Sequence, residues 1–178
     1  MKLNLEKIGK KNISFVGLMG SGKSLIGKLL SKDLDIKHYD SDNFIEKTLK
    51  KSINDIFLHK GEKYFRDIEK EIVLSLLKRN NCIISLGGGA ILENIVRKSL
   101  KSSSYTIYLK SDIKILCERL KFSKKRPLIK NTNIEKTLNT LTKKREKYYN
   151  EADLIINTTN DINSILTKIK KVLNKFYE

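Results

Sequence analysis

The feature that most constrains the fold is a glycine-rich run at residues 17–24, GLMGSGKS, which fits the pattern G-x-x-x-x-G-K-[ST]. An apolar run at 12–16 predicts a buried strand before it, and the sequence of 25–30 predicts a helix after it. In that setting, glycines let successive backbone N–H groups turn inward around an anion, and the helix N-terminus adds partial positive charge. The run therefore predicts a loop that binds nucleotide phosphates, with Lys23 reaching the β- and γ-phosphates and Ser24 holding Mg²⁺.

The length and composition limit what can be built around this loop. A chain of 178 residues predicts a single domain, 1–178, with one core. No run of 18 apolar residues occurs, and the first residues lack the apolar region of a signal peptide, so we expect no membrane association. Two cysteines, Cys82 and Cys117, are too few for a disulfide framework and fit a cytoplasmic protein in which both pack as small apolar side chains.

The formal net charge of +17 raises a basic RNA-binding module as an alternative from a different class. However, the lysines are spread along the whole chain, tryptophan is absent, and the aromatic residues form no stacking stripe. A positive field also speeds the capture of anionic substrates by an enzyme. We therefore expect no specific nucleic-acid partner. RNA binding that weakens steeply with salt would favour the alternative.

Strand-like and helical patterns alternate along the chain. Strands are predicted at 13–16, 37–40, 82–86, 105–110 and 154–157, and helices at 23–32, 42–50, 64–79, 94–101, 112–120, 134–149 and 162–176. This alternation predicts a parallel sheet covered by helices on both faces, with ligands at the carboxyl ends of the strands. The polar stretch at about 121–133, which contains Pro127, predicts a long lid loop.

Two polar motifs follow predicted strands. In Asp40-Ser41-Asp42, two carboxylates spaced i, i+2 are expected on one side of an extended segment. One can support Mg²⁺ through water, and the other can accept a proton from an attacking hydroxyl. Ser41 or Asp42 is also expected to cap the next helix. The second motif is a run of three glycines at 87–89, which favours a wall that a ligand approaches closely over a merely flexible turn.

Several arginines stand out against the many lysines. Arg66 and Glu69 are three apart on a predicted helix, so they can pair and aim the guanidinium at a carboxylate ligand. A solvated surface ion pair is the alternative interpretation. In the predicted lid, Arg126 can neutralise charge on a transferring phosphoryl group. Arg119 and Arg145 lie on the helices before and after the lid.

Taken together, these motifs resemble the shikimate kinase family over about 12–157, in the family's order and near its spacings. They are the glycine-rich loop, Asp40-Ser41-Asp42, the stretch 61–69, the triple glycine, Arg126-Pro127-Leu128 and the stretch 145–153. The resemblance implies a three-layer α/β P-loop kinase fold with a five-stranded parallel sheet in the order 2-3-1-4-5. It also implies transfer of the ATP γ-phosphate to the 3-hydroxyl of shikimate, in aromatic amino-acid biosynthesis. No second apolar helix face stands out in the sequence, so we expect a monomer. Another small-molecule kinase, for gluconate or a nucleotide, is the nearest alternative, and we expect it to lack this combination.

The resemblance further implies the residues of the site. The catalytic residues would be Lys23, Asp42 and Arg126. ATP would be bound by Gly20, Ser21, Gly22, Lys23, Ser24, Leu25, Arg119 and Arg126, with Arg119 against adenine. Shikimate would be bound by Asp42, Arg66, Gly87, Gly88, Gly89 and Arg145. Mg²⁺ would be held by Ser24 and, through water, by Asp40. Leu25 departs from the family, which often has threonine or a small residue at this position.

Overall fold

The computed structural model of the protein describes residues 4–121, 128, 132–158 and 161–176. Within these ranges, five strands form one sheet in the order β2-β3-β1-β4-β5. The strands are β1 (Asn12–Val16), β2 (Lys37–Asp40), β3 (Cys82–Ser85), β4 (Ser104–Lys110) and β5 (Leu154–Asn157). The helices are α1 (Lys23–Asp33), α2 (Ser41–Leu49), α3 (Ile53–Leu77), α4 (Asn94–Ser103), α5 (Ile113–Leu120), α6 (Ile134–Tyr149) and α7 (Ile162–Leu173). Every strand pairing is parallel, so the predicted α/β class and strand order are confirmed.

The core lies on both faces of the sheet. The central strands β1 and β3 are buried at every position, as expected for parallel strands that are covered by helices on both sides. On one face, α1 and α7 pack through Leu30 and Ile169. On the other face, α3, α4 and α6 pack through Leu76, Leu100 and Leu138. The two helical layers and the sheet between them make the three predicted layers.

The register of the central strands brings three loops to one edge of the sheet. Asp40 of β2 lies level with Ser85 of β3, and Ser85 lies level with Phe15 of β1. The chain therefore leaves β1, β2 and β3 at nearly the same height. The glycine-rich loop follows β1, the motif at 40–42 closes β2, and the triple glycine follows β3. Parallel pairing alone thus brings these three motifs to a common edge.

The start of α2 differs from the prediction. Asp40, rather than Ser41 or Asp42, caps the helix, because its Oδ1 accepts the N–H of Asn43 at 3.1 Å. The helix begins at Ser41, so Asp42 lies in its first turn and not on an extended segment. The expectation that the two carboxylates share one side of an extended segment is therefore wrong. The helical turn directs them to different partners.

Helix α3 runs from Ile53 to Leu77 where the sequence predicts a helix over 64–79, so the prediction misses residues 53–63. Ser52 caps the helix by accepting the N–H of Asp55 at 3.1 Å. The helix is broken at Gly61, whose φ of 79° and ψ of 171° are not helical. The bend brings Phe57 and Phe65 together, with ring centroids 4.8 Å apart. The first half of α3 thereby folds over the same edge of the sheet as the three motifs.

Some expectations fall outside the described residues. Arg126 and Pro127 do, as does most of the predicted lid at 121–133. Where the structure does describe the chain, Cys82 is buried, Cys117 is half-buried, and both are free thiols. No helix in the described ranges is long and apolar enough to cross a membrane.

Helix α1 packs closely on the sheet at Gly27. A Cβ added there would lie 2.7 Å from both His38 Nε2 and Ser85 Oγ, which are 3.0 Å apart in a hydrogen bond. Alanine normally stabilises an exposed helix over glycine by about 1 kcal/mol. We expect Gly27→Ala instead to lower the free energy of unfolding by about 1–3 kcal/mol through overpacking, as measured by urea denaturation. The exposed Lys28→Ala is the control, and a stabilised Gly27→Ala protein would contradict this packing.

Candidate active site

The glycine-rich loop joins β1 to α1 and holds the ammonium of Lys23 against its own backbone. The Lys23 Nζ donates to the carbonyl oxygens of Gly17 and Leu18, both at 2.8 Å, and the side chain is buried. Gly17 has a φ of 141°, and a Cβ there would lie 2.7 Å from the Leu109 carbonyl oxygen. Position 17 therefore needs glycine for both conformation and space. The positive charge of Lys23, which the loop holds, lies at the edge of the sheet.

Ser24 and Asp40 form a pair of hard oxygen ligands beside the loop. The Ser24 hydroxyl donates to Asp40 Oδ2, while Asp40 Oδ1 accepts the helix-capping N–H of Asn43. Mg²⁺ prefers such oxygens and keeps several of its waters, so the pair fits a magnesium ion that also binds phosphate. Among the described residues, no cluster of three or more His, Cys, Asp or Glu residues could hold a metal. A cation at this pair would therefore depend on phosphate and water for its other ligands.

A cleft of about 560 Å³ lies between the glycine-rich loop and α7. Arg119 of α5 donates from Nη1 to the Gly20 carbonyl oxygen at 3.1 Å, which holds the guanidinium at this cleft. The cleft is lined by Gly20, Ser21, Gly22, Leu25, Ile26, Arg119, Ile162 and Ile165. The predicted ATP residues are therefore brought together, except Lys23 and Ser24, which face the sheet edge, and Arg126, which lies outside the described residues.

A second cleft, of about 430 Å³, lies where α2, α3 and α6 meet the triple glycine. Its polar lining is formed by Asp42, Arg66, Glu69, Gly88, Gly89 and Arg145. Its apolar lining is formed by Met19, Ile53, Phe57, Phe65 and Leu128. With the exception of Gly87, every residue that the sequence assigned to the substrate lines this cleft.

The triple glycine leaves room for charged side chains that approach its backbone. A Cβ on Gly87 would overlap Glu69 Oε1 and lie 2.7 Å from Asp42 Oδ1. A Cβ on Gly89 would lie 2.5 Å from Arg66 Cζ. Neither glycine has a positive φ, so backbone freedom is not what these positions require; a side chain here would instead displace the charged groups. Gly87 therefore lies behind the cleft, where its missing side chain makes room for both carboxylates.

Gly88 connects this cleft with the glycine-rich loop. A Cβ on Gly88 would lie 3.3 Å from Arg145 Nη1 and equally far from the Gly17 carbonyl oxygen that Lys23 contacts. The Gly88 carbonyl oxygen accepts the Tyr149 hydroxyl at 2.6 Å. Burial raises the pKa of the Tyr149 phenol well above its usual value, so the hydroxyl stays protonated and can donate. The Gly17 carbonyl group thus lies between the Gly88 backbone, which forms the wall of the cleft, and the Lys23 ammonium.

Arg66 is held by two carboxylates on its own helix. Its Nη1 lies 2.5 Å from Glu69 Oε2, and its Nη2 lies 3.0 Å from Glu62 Oε1. Glu69 is only 2% exposed, so the alternative of a solvated surface pair is wrong. Burial raises the pKa of Glu69, the Arg66 charge counteracts this, and the nearby Asp42 raises it further. The predicted pairing is confirmed, and it aims a partly buried guanidinium at the cleft.

Arg145 reaches the cleft from the opposite wall, on α6. It is 3% exposed, and its Nε has no hydrogen-bond partner within the described residues. An unsatisfied buried donor costs about 1–3 kcal/mol, and more when it is charged. Two guanidinium groups on separate helices thus line one cleft, an arrangement that can grip a carboxylate.

Sequence reasoning missed the apolar half of this cleft and the phenol of Tyr149. Met19 lies in the glycine-rich loop and Phe65 in α3, and an apolar residue in such a segment is normally assigned to the core. The available signal was the pair Phe57 and Phe65 on either side of Gly61, because a glycine inside a helical pattern marks a bend.

Comparisons with known proteins agree with this geometry. The family model for shikimate kinase matches residues 19–174. A shikimate kinase of Dictyoglomus turgidum is 43% identical over 168 residues, which cover 90% of this chain and 95% of that relative. A shikimate kinase of Bacillus mycoides is 40% identical over 166 residues, which cover 93% of this chain and 99% of the relative. The chain belongs to the shikimate kinase family. The resemblance that the motifs indicated is therefore confirmed.

A solved structure extends the family assignment to the whole architecture. The structure described as shikimate kinase from Acinetobacter baumannii in complex with shikimate matches this family member with a TM-score of 0.89. The two chains are 31% identical, and the match covers 96% of this chain and 97% of the other. The alternative of a gluconate or nucleotide kinase is not favoured. As a shikimate kinase family member, the protein is an ATP-dependent kinase.

Glu69 makes the stability of this family member depend on pH. Its pKa in the folded protein is raised above the ordinary 4.5, mainly by burial, so the folded state binds a proton more readily than the unfolded state. Its stabilising contribution is therefore fully present below pH 4.5 and is lost as the pH rises through the raised pKa. We expect the free energy of unfolding of the wild type, minus that of Glu69→Gln, to fall across this range in urea titrations. The exposed Glu71→Gln is the matched control, and a difference that grew with pH would contradict the assignment.

Proposed function

We propose that the protein transfers the γ-phosphate of ATP to the 3-hydroxyl of shikimate, giving shikimate 3-phosphate and ADP. The observation that carries the proposal is the cleft in which Arg66, Arg145 and Asp42 meet beside the glycine-rich loop. Shikimate offers a carboxylate for the two guanidinium groups and ring hydroxyls for Asp42. A relative of nearly the same fold is described as bound to shikimate, which supports the same ligand here.

The donor half of the site is assigned to the glycine-rich loop and its surroundings. The backbone N–H groups of Gly20 to Ser24 would bind the β- and γ-phosphates, with Lys23 adding its charge. Ser21, Gly22 and Leu25 lie along the same face, and Arg119 stands at the cleft beside Gly20, where we place adenine. Arg126 is assigned to the phosphates on the family pattern, because it lies outside the described residues.

Ser24 would hold Mg²⁺ directly, and Asp40 would support it through water. Their hydrogen bond already sets the hydroxyl and the carboxylate side by side. When bound, Mg²⁺ offsets the negative charge of the β- and γ-phosphates.

The acceptor half holds shikimate still and turns one hydroxyl toward the donor. Arg66 and Arg145 would bind the carboxylate from two walls, while Glu69 keeps Arg66 in place. Gly87, Gly88 and Gly89 would let the ring approach the backbone, because side chains there would fill the space. Holding both reactants in line supplies much of the rate in this kind of reaction.

Asp42 is assigned to the reacting hydroxyl. The hydroxyl oxygen forms a bond to the γ-phosphorus, the bond from that phosphorus to the bridging oxygen of ADP breaks, and Asp42 accepts or orients the leaving proton. The apolar wall formed by Met19, Phe57 and Phe65 would keep water from competing with the hydroxyl.

The proposed activity is tested by an assay that couples ADP release to NADH oxidation, with shikimate, gluconate and nucleoside monophosphates as acceptors. We expect ADP release to require both Mg²⁺ and shikimate. Folded protein that released ADP with another acceptor, and not with shikimate, would overturn the proposal.

Changing Asp42 to Asn tests its role in proton transfer. We expect Asp42→Asn to lower kcat by about 100-fold or more, the usual scale of acid–base catalysis, because the amide cannot accept the proton. The KM for ATP should stay near the wild-type value. Asp35→Asn, the same change at an exposed position, is the matched control. Near-normal turnover in Asp42→Asn would remove this residue from the mechanism.

Changing Arg145 to Ala tests the grip on the carboxylate. We expect shikimate to bind about 10- to 100-fold more weakly, because hydrogen bonds between charged groups contribute roughly 1.5–3 kcal/mol. Calorimetry with each ligand should show ATP binding close to normal. Lys144→Ala, at the exposed neighbouring position, controls for the loss of a positive charge. Equal weakening of both ligands would contradict the carboxylate assignment.

A further inference from the structure

Arg97 of α4 lies outside the cleft, yet it holds the chain that leaves the triple glycine. Its Nη1 donates to the carbonyl oxygens of Ile91 at 2.9 Å and Leu92 at 2.7 Å. Its Nη2 donates to Asn94 Oδ1 at 3.3 Å. The two carbonyls belong to the 3₁₀ turn Ala90–Leu92, which begins immediately after the triple glycine. A single guanidinium therefore fixes the turn in which the cleft wall ends.

The same guanidinium lies on the face of Tyr148, which belongs to α6. The Arg97 Cζ is 4.0 Å from the centroid of the ring, and the Lys147 ammonium is 4.8 Å from it. A cation over an aromatic face contributes about 0.5–2 kcal/mol. Arg97 thus joins the turn after the triple glycine to the helix that carries Arg145.

The second of these elements, α6, carries Arg145. Arg145 precedes Tyr148 by three residues, so both belong to the same stretch of α6. Tyr149, the next residue, donates to the Gly88 carbonyl oxygen at 2.6 Å. Tyr149 therefore ties the middle of the triple-glycine wall to α6, and Arg97 ties the turn that follows the wall to the same helix.

We propose that Arg97 is a positioning residue for the acceptor substrate, acting through the ring of Tyr148 to set the distance between Arg145 and the triple-glycine wall. The proposal rests on the proposed function, in which Arg145 binds the carboxylate of shikimate. Sites that grip a ligand at two points tolerate errors of only about 0.5 Å, so a small shift of α6 should weaken the grip. Nucleotide binding does not involve these elements and should be unaffected.

A guanidinium suits this position better than an ammonium would. A guanidinium is planar, donates hydrogen bonds in more than one direction within its plane and stacks on an aromatic ring. A lysine ammonium is a compact point charge. Arg97 and Tyr148 also border a cleft of about 690 Å³ that opens toward solvent, so both side chains are only half-buried. Replacing Arg97 therefore leaves no buried charge unpaired, and we expect the variants to fold.

The first test compares Arg97→Met and Arg97→Lys with the wild type in the coupled assay. We expect both to raise the KM for shikimate, Arg97→Met by about tenfold, while the KM for ATP stays within about twofold. Lys98→Met removes a charge from an exposed neighbouring position and should change neither constant. Folding is checked by thermal denaturation, and a loss of stability without a change in the KM for shikimate would reduce Arg97 to a structural role and overturn the proposal.

The second test combines changes at Arg97 and Tyr148. Tyr148→Phe keeps the aromatic face and should keep a KM for shikimate near the wild-type value, whereas Tyr148→Leu should raise it. If the two residues act through one contact, the double variant Arg97→Met/Tyr148→Leu should have about the same KM as either single variant. Effects that multiplied in the double variant would show independent roles and overturn the proposed path.

These outcomes separate failure of the inference from failure of the proposed function. A wild-type protein without shikimate-dependent ADP release would refute the proposed function itself. An active wild type whose KM for shikimate is unchanged by Arg97→Met would leave the function intact and refute only the role of Arg97.

Discussion

The space left by the missing Cβ atoms of the triple glycine is the constraint on which the rest of the site depends. Glu69 and Asp42 take up the space beside Gly87, and the Arg66 guanidinium takes up the space beside Gly89. Interiors are close-packed, so a single added methyl group at these positions would displace charged groups whose locations determine the chemistry. The parallel register then places this wall level with the loop that binds phosphate. Donor and acceptor sites are adjacent because two neighbouring strands end together.

Charge within the acceptor cleft is organised at a cost to stability. Glu69 is almost completely buried and lies near another carboxylate, both of which disfavour its ionised form, while Arg66 compensates in part. A buried ion pair often contributes little net stability, because desolvation offsets the attraction. What this pair provides is direction: carboxylates bound to Nη1 and to the Nε and Nη2 side fix the orientation of the Arg66 guanidinium at the cleft. Arg145 lines the same cleft from the opposite wall, and its buried Nε has no hydrogen-bond partner among the described residues.

Much of the fold and most of the polar site could be predicted from the sequence. The strands β2 and β5 and the helix α6 were predicted to the residue, because apolar periodicity and polar boundaries are local properties. The first half of α3 was not predicted, because its break at Gly61 interrupts the periodicity. The cap of α2 was assigned one or two residues late, because Asp40, Ser41 and Asp42 are all good capping residues and only the backbone path selects among them. The apolar lining of the cleft escaped prediction, because an apolar residue beside a ligand has the same pattern as one in the core.

The residues alone specify a strand, a glycine-rich loop and a helix, the arrangement expected of a phosphate site, and an alternation of elements that builds a parallel sheet. Both follow from local chemistry, namely backbone N–H groups around glycines and the spacing of apolar side chains. The spacing of Asp40 and Asp42 leaves their partners open, and it is tertiary packing that turns Asp40 to Ser24, as the family resemblance implied, and buries Glu69 beside the cleft. Those outcomes depend on helices that meet across the sheet edge, and no spacing along the chain encodes how closely they approach.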